Sequence, residues 1–295
     1  VNLTASVVLT GLDEVISGNI AGNGNDLTFN MQDVTELDGA KLVGVDELSI
    51  IGGGTAKISG IIATTGNQNF ADNVELLGNV GLQAGNGTIT TAAVTGSNYT
   101  LTVGTANQTG SVTLGGNVAV AGFVTGPGSF DLALNGSVNN IAGATAFTNT
   151  GNITLGNAET DSSRFADGLL AANSQLTSVA GTITTAGGDV VLNSTSLTAN
   201  TTIDATDNGA VPTGAEIDLM NGTALNGFTL DTFAGNAATV LTGPTNLSSG
   251  VLEAKTGSLN LGTPSAPATI TATENTSILV ASGGTLNLYN GSSVD

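Results

Sequence analysis

Apolar residues along this chain come in short runs that alternate with Thr, Ser or Asn, as in Leu27-Thr28-Phe29, Leu48-Ser49-Ile50, Leu101-Thr102-Val103, Val112-Thr113-Leu114, Ile153-Thr154-Leu155 and Leu286-Asn287-Leu288. A period of two sends successive side chains to opposite faces of an extended backbone, so each run predicts a strand with one buried face. Between the runs stand turns such as Gly22-Asn23-Gly24-Asn25, Gly115-Gly116-Asn117, Gly151-Asn152 and Gly187-Gly188-Asp189. Gly, Asn and Asp tolerate positive φ where a chain must bend sharply.

The spacing of the runs separates a sandwich from a solenoid. Leu27 to Leu48 is 21 residues, Val112 to Leu132 is 20, Leu132 to Ile153 is 21 and Ile183 to Ile203 is 20; Val240 to Leu259 and Leu259 to Ile278 are each 19. A coil of about 20 residues matches solenoids built from two or three short strands per turn. The expected fold is therefore all-β, a single right-handed parallel β-helix, its hand taken from the general chirality of β-crossover connections. At an inter-strand distance of about 4.8 Å, roughly 15 coils would make a rod of about 70 Å. No coil can bury its apolar residues alone, whereas stacking lines up Leu, Ile and Val in columns shielded from water. Asn and Thr at equivalent positions are expected to hydrogen-bond along the stack near the Gly-Asn turns.

Residues 1–25 read as irregular coils or an edge, and residues 26–295 as the β-helix. Two excursions interrupt it. Over 161–179 the alternation fails, and Phe165, Leu169 and Leu176 behind Ser162 or Ser163 as N-cap predict a short helix or loop. Over 204–215, Asp207-Asn208-Gly209 and Pro212 predict a longer loop.

Composition narrows the function. Four basic residues, Lys41, Lys57, Arg164 and Lys255, face 23 acidic ones for a net charge of −19. Such a chain repels phosphate backbones, so no nucleic-acid partner is expected. It holds neither cysteine nor histidine, which removes disulfides, thiolate metal sites and the usual general base. No run approaches the ~18 consecutive apolar residues of a membrane helix, so no membrane-spanning segment is expected. The first residues, Val1-Asn2-Leu3-Thr4, resemble neither an initiator Met nor a signal peptide, and the chain reads as processed or excised.

Candidate chemistry is sparse. A glycosidase needs two carboxylates flanking the scissile bond, and Asp204 with Asp207, Glu216 with Asp218, or Glu159 with Asp161 supply pairs. Their ordinary reading is solvated turn acids. Calcium would suit carboxylates and turn carbonyls: Asp204, Asn208 and Gly209 occupy the first, fifth and sixth places of an EF-type loop, and Asp207 and Glu216 complete the candidate ligands. Against that, Thr206 stands at the third place and Ala215 at the twelfth, with Glu216 one residue late. Gly22-Asn23-Gly24-Asn25-Asp26-Leu27 is similar to one calcium-binding nonapeptide, and Thr-Ile-Thr at 88–90, 182–184 and 269–271 offers the phrase of an ice-binding array.

The phrases Gly-Asn-Ile-Thr-Leu at 151–155, Gly-Gly-Asp-Val-Val-Leu at 187–192, Gly-Ser-Leu-Asn-Leu at 257–261 and Gly-Thr-Leu-Asn-Leu at 284–288 resemble filamentous-haemagglutinin-type exoproteins and autotransporter passengers. The likeness implies a secreted β-helix that presents adhesive surfaces. The resulting expectation is a non-catalytic structural or adhesive segment of an extracellular bacterial surface protein or fibre. Its partners would be other copies, flanking repeats, or a cell-surface receptor or glycan. A carbohydrate-active enzyme is the alternative and predicts a groove in which two carboxylates meet beside exposed aromatics. A calcium-dependent surface-layer or ice-binding protein is the third reading.

Overall fold

A computed structural model describes residues 1–143, 145–272 and 276–294. The chain is all-β, with parallel strands stacked as a β-solenoid of roughly 21 residues per turn. Among the described residues one 3-10 turn, Gly39–Lys41, is the sole helical element. Contacts divide the solenoid into two compact units: Val1–Gly136 with Thr148–Gly151, and Ser137–Phe147 with Asn152–Asp295.

In the first unit the alternation becomes vertical files of side chains. Val7, Leu27, Leu48, Gln68, Ile89, Val112 and Leu132 pair in register from turn to turn. All of them from Leu27 onward are buried. Each fully buried Leu, Ile or Val contributes about 1.5–3 kcal/mol relative to exposure, so inner files of this kind hold the turns together. The one polar member, Gln68, uses its side-chain NH2 to donate to the Ile62 carbonyl at 2.9 Å and the Gln83 carbonyl at 2.8 Å, while its buried Oε1 has no partner. One residue along, Thr28, Ser49, Asn69, Thr90 and Thr113 form a file in the same register on the outer face. The Thr90 hydroxyl donates to Asn69 Oδ1 at 3.0 Å, an inter-turn bond of the expected kind.

The solenoid begins earlier than the sequence suggests. Val7–Val15 pairs with Ile20–Asp38 through Val7 with Leu27 and Leu9 with Phe29, so residues 1–25 already contain a regular turn. Charged Asp13 and Glu14 hide this strand in the sequence: Asp13 is exposed, whereas half-buried Glu14 pairs with buried Thr35.

The second unit follows the same rule, with two corrections. Residues 161–179 form no helix: Ser162–Phe165 and Leu169–Ala171 are strands paired to Val138–Ile141 and Thr145–Ala146. Phe165 and Leu169 are both buried, and Gly168 at φ +107 turns the chain between them. A spacing of four is therefore produced by two inward residues on either side of a corner. Ser163 does not cap a helix; it accepts a 3.0 Å bond from the Asn139 side-chain amide. Nor do the C-terminal coils tighten. Thr239, not Val240, pairs with Leu259, while Leu259 pairs with Leu286 and Leu252 with Ile278, separations of 27 and 26. Extra residues absorbed at turns leave the ladder intact while breaking the apparent interval.

A second file in this unit runs Ile153, Thr177, Thr195, Thr223, Thr245 and Ile270. Its four threonines are buried. Thr177 shares a 2.9 Å hydroxyl contact with Ser174, whereas the hydroxyls of Thr195, Thr223 and Thr245 have no hydrogen-bond partner.

Candidate functional site

The most elaborate surface of the second unit is built where the chain leaves Asp204. This residue ends the Val190–Asp204 strand, and its Oδ1 accepts the Thr206 amide and the Thr206 hydroxyl, each at 2.6 Å. Its Oδ2 accepts the Asn208 amide at 2.8 Å. Asp and Asn readily bridge their own backbone in this way, and they also tolerate the left-handed region. Asp207 at φ +52, Asn208 at +57 and Gly209 at +85 follow in succession. The loop then folds back, the Val211 amide donating to the Thr206 carbonyl at 2.8 Å. At its far end Gly214 has φ +58, and a Cβ there would lie 2.2 Å from the Ala234 carbonyl oxygen, so only glycine lets the loop lie against that turn.

Arg164 fastens the loop from two turns away. Its Nε donates to Asp207 Oδ1 at 3.1 Å and its Nη2 to Oδ2 at 2.9 Å. That hydrogen bond holds the Asp207 carboxyl below its ordinary range and raises the Arg164 guanidinium.

Between loop and strand face lies a groove of ≈ 680 Å³, whose lining includes Thr182, Thr202, Asp204, Asn208, Asp231 and Phe233. Register explains how they meet. Thr182, Thr202 and Asp231 stack on one outward file, and Thr184, Asp204 and Phe233 on another. Phe233, like Phe228, is half-buried, whereas Phe29, Phe70, Phe123, Phe130, Phe147 and Phe165 are fully buried; Phe233 sits on the outer face. Asp231 lies 3.5 Å from the Lys255 ammonium, which also holds Glu253 at 2.6 Å. Burial pushes the Asp231 carboxyl up, against the pull of Lys255.

The four calcium candidates are placed apart in function. Asp204 serves the loop backbone, Asp207 serves Arg164, Asn208 is exposed at the turn, and the Glu216 amide donates to Asp189 Oδ1 at 3.1 Å. Among the described residues no three acidic side chains converge in a metal-holding group. At 22–27 the side-chain amide of Asn25 donates to the Gly22 carbonyl at 2.9 Å and that of Asn23 to the Leu3 carbonyl at 3.0 Å, which is the bonding of a plain turn.

The remaining carboxylate pairs divide. Asp161 Oδ2 accepts the Asn157 and Ala158 amides at 2.8 and 3.0 Å, and Glu159 accepts from Asn200 at 3.2 Å. Glu216 and Asp218 do sit side by side, both raised: Asp218 by burial, Glu216 by partial desolvation and then by Asp218 and Asp189. The Thr-Ile-Thr phrase at 182–184 does not repeat up the stack, since its partners are Ser162-Ser163-Arg164 below and Thr202-Ile203-Asp204 above. Sequence reasoning identified Asp204, Asp207 and Asn208 but missed Arg164, Asp231 and Phe233. The signal for Phe233 was its place beside Thr232 and Ala234, which alternation puts inward.

A second cavity, of ≈ 540 Å³ in the first unit, is lined by Val1, Leu3, Val7, Leu9, Val15 and Ile16 among others, residues of the first turn's inner surface.

Fold and groove together define a parallel β-solenoid with a loop-walled cleft on its outer face. Set against protein-family models, curated proteins and solved structures, the chain matches none of them.

Proposed function

We propose that the chain is a non-catalytic structural and adhesive segment of a bacterial surface protein or extracellular fibre. The observation that carries this reading is the in-register outer file Thr28, Ser49, Asn69, Thr90 and Thr113, a polar surface repeated on a backbone locked by parallel ladders. Recognition of a broad surface needs hydroxyl and amide groups held at fixed spacing, and stacked turns supply that without spending entropy on binding. Its partners on this reading are a surface receptor or glycan and further copies of similar turns, outside the cell. The test is attachment: beads coated with the chain are scored for saturable binding to epithelial cells and erythrocytes. Attachment above albumin-coated beads is expected; attachment equal to albumin removes the reading.

A hydrolytic reading has one observation in its favour, the presence of Asp204 and Asp231 in the same groove beside Phe233. The three donors already received by Asp204 oppose it, because both of its oxygens are taken up in holding the loop. Release of reducing ends from soluble polysaccharides, abolished by Asp231→Asn, would establish it.

A further inference from the structure

We infer that the cleft between the 205–213 loop and the outward files of the second unit is a binding site for a short neutral oligosaccharide. This rests on, and sharpens, the adhesive reading.

An aromatic ring on the outer face of a solenoid forfeits the burial that Phe165 and Phe147 gain inside, where their rings meet edge to face at 6.2 Å. Phe233 instead offers part of its surface to a cleft of ≈ 680 Å³, within the range of small-ligand sites. A ring with an electron-rich face suits the weakly positive C–H face of a pyranose. Around it stand groups suited to sugar hydroxyls. Thr182 and Thr202 contribute hydroxyls, and the exposed side-chain amides of Asn208 and Asn236 are engaged by no hydrogen bond among the described residues.

Charge selects the class of sugar. Each cation near the cleft is consumed by the protein: Arg164 by Asp207, and Lys255 by Glu253 and Asp231. A uronate or sulfated sugar would thus meet no free cation and would face a chain of net charge −19. A neutral chain pays no such penalty, and it can use Asp231 as a hydroxyl acceptor. The cleft is also preorganised. Asp204 knots the start of the loop and the Arg164 fork fixes its crest, so little order has to be gained on binding.

The test is saturation-transfer NMR and calorimetric titration of the whole chain with cellotetraose, maltotetraose and tri-N-acetylchitotriose, with tetragalacturonate as the acidic control. At least one neutral probe is expected to bind, and Phe233→Ala to weaken it by roughly tenfold or more. Phe233→Tyr should retain binding, and Asn107→Ala, at an exposed position in the other unit, should leave it unchanged. Should Phe233→Ala fail to fold, as read from its thermal midpoint, the exposed Asn236→Ala replaces it and is expected to weaken the same probe. The inference is overturned if no neutral probe saturates below about 10 mM, if tetragalacturonate alone binds, or if the folded Phe233 and Asn236 variants bind as the parent does. Beads that attach to cells while no probe binds overturn the cleft assignment and leave the adhesive reading standing. A probe that binds in the Phe233-dependent manner while beads fail to attach supports the cleft and removes the adhesive reading.

Discussion

Arg164 and Asp207, 43 residues apart in the chain, meet in a two-pronged ion pair with contacts of 3.1 and 2.9 Å. The pair spans from one turn of the solenoid to the loop that follows the Val190–Asp204 strand, and it is the device that keeps that loop standing beside the groove. A fork-to-carboxylate geometry resists rotation in a way that a lysine contact does not.

Arg164→Ala should therefore loosen the loop more than it destabilises the protein. The side chains are about a third exposed, so the global loss is about 0.5–1 kcal/mol. Hydrogen exchange is the sensitive readout. The amides of Asn208 and Val211 should exchange faster, with those of Ile183 and Ile203 unchanged. Arg164→Lys should recover only part of the protection. Equal exchange in parent and Ala variant would show that Asp204 alone holds the loop.

The buried threonine file offers a test of opposite sign. Thr195, Thr223 and Thr245 bury hydroxyls without partners, so removing the hydroxyl while keeping the shape relieves a desolvation cost. Each of Thr195→Val, Thr223→Val and Thr245→Val should be neutral or stabilising by up to about 1 kcal/mol. Thr177→Val should instead destabilise, since it removes the 2.9 Å bond between the Thr177 and Ser174 hydroxyls and leaves Ser174 only its 3.2 Å bond to the Ala171 carbonyl. Urea midpoints of the four variants decide the point, and a common loss would mean that these hydroxyls find partners in solution.

The corrected reading of 161–179 predicts a sharp contrast between neighbours. Leu169 is buried and Leu170 is 47% exposed. Leu169→Ala should cost about 2–5 kcal/mol, as expected for a cavity in a packed core. Leu170→Ser should stay within about 0.5 kcal/mol. Chemical denaturation of both variants checks this, and comparable losses would mean that the strand register is wrong.

Stability should rise on mild acidification. Asp218 and Asp231 are raised by burial and Glu216 by partial desolvation. A carboxyl raised in the folded state contributes stability that is complete below its unfolded pKa and is lost as pH climbs through the folded value. Asp207, lowered by Arg164, works the other way: its contribution is present above the unfolded pKa and is lost as pH falls through the depressed one. Three groups against one, together with relief of the net charge of −19, favour the folded state as pH drops toward the ordinary carboxylate range near about 4. The thermal midpoint should be higher at the lower pH. A combined Glu216→Gln, Asp218→Asn and Asp231→Asn variant should show a smaller difference. A midpoint that falls over this interval would overturn the assignment.

Gly214 should be close to irreplaceable. Its positive φ and the 2.2 Å approach to the Ala234 carbonyl leave no room for a methyl group. Gly214→Ala should cost about 1–3 kcal/mol, whereas Gly209→Ala, which meets open space, should suffer only its φ of +85. Thermal midpoints of the two variants should rank in that order.

The solenoid itself was legible in the sequence because its cause is local and repeated. Alternation places Leu27 and Phe29 inward with Thr28 outward, and a repeat near 20 residues brings Leu48 over Leu27 and Ile203 over Ile183, as the pairing shows. Those separations survive because each turn must close on itself and its inward residues have nowhere else to go. Where turns absorb extra residues, between Leu252 and Ile278 for instance, the interval loses its meaning while the ladder persists. A corner flanked by Phe165 and Leu169 likewise imitates a helical spacing.

What the chain's order alone determined is the winding and its inner files, since a period of two and a period of one turn are both written in neighbouring residues. The groove was decided only in three dimensions. Its wall depends on Arg164 reaching Asp207 across 43 residues, and its floor on which of Asp231, Thr232 and Phe233 face outward at a ladder shift next to Phe233. A single shift in register moves a side chain from core to surface, and its position was fixed by the strands on either side.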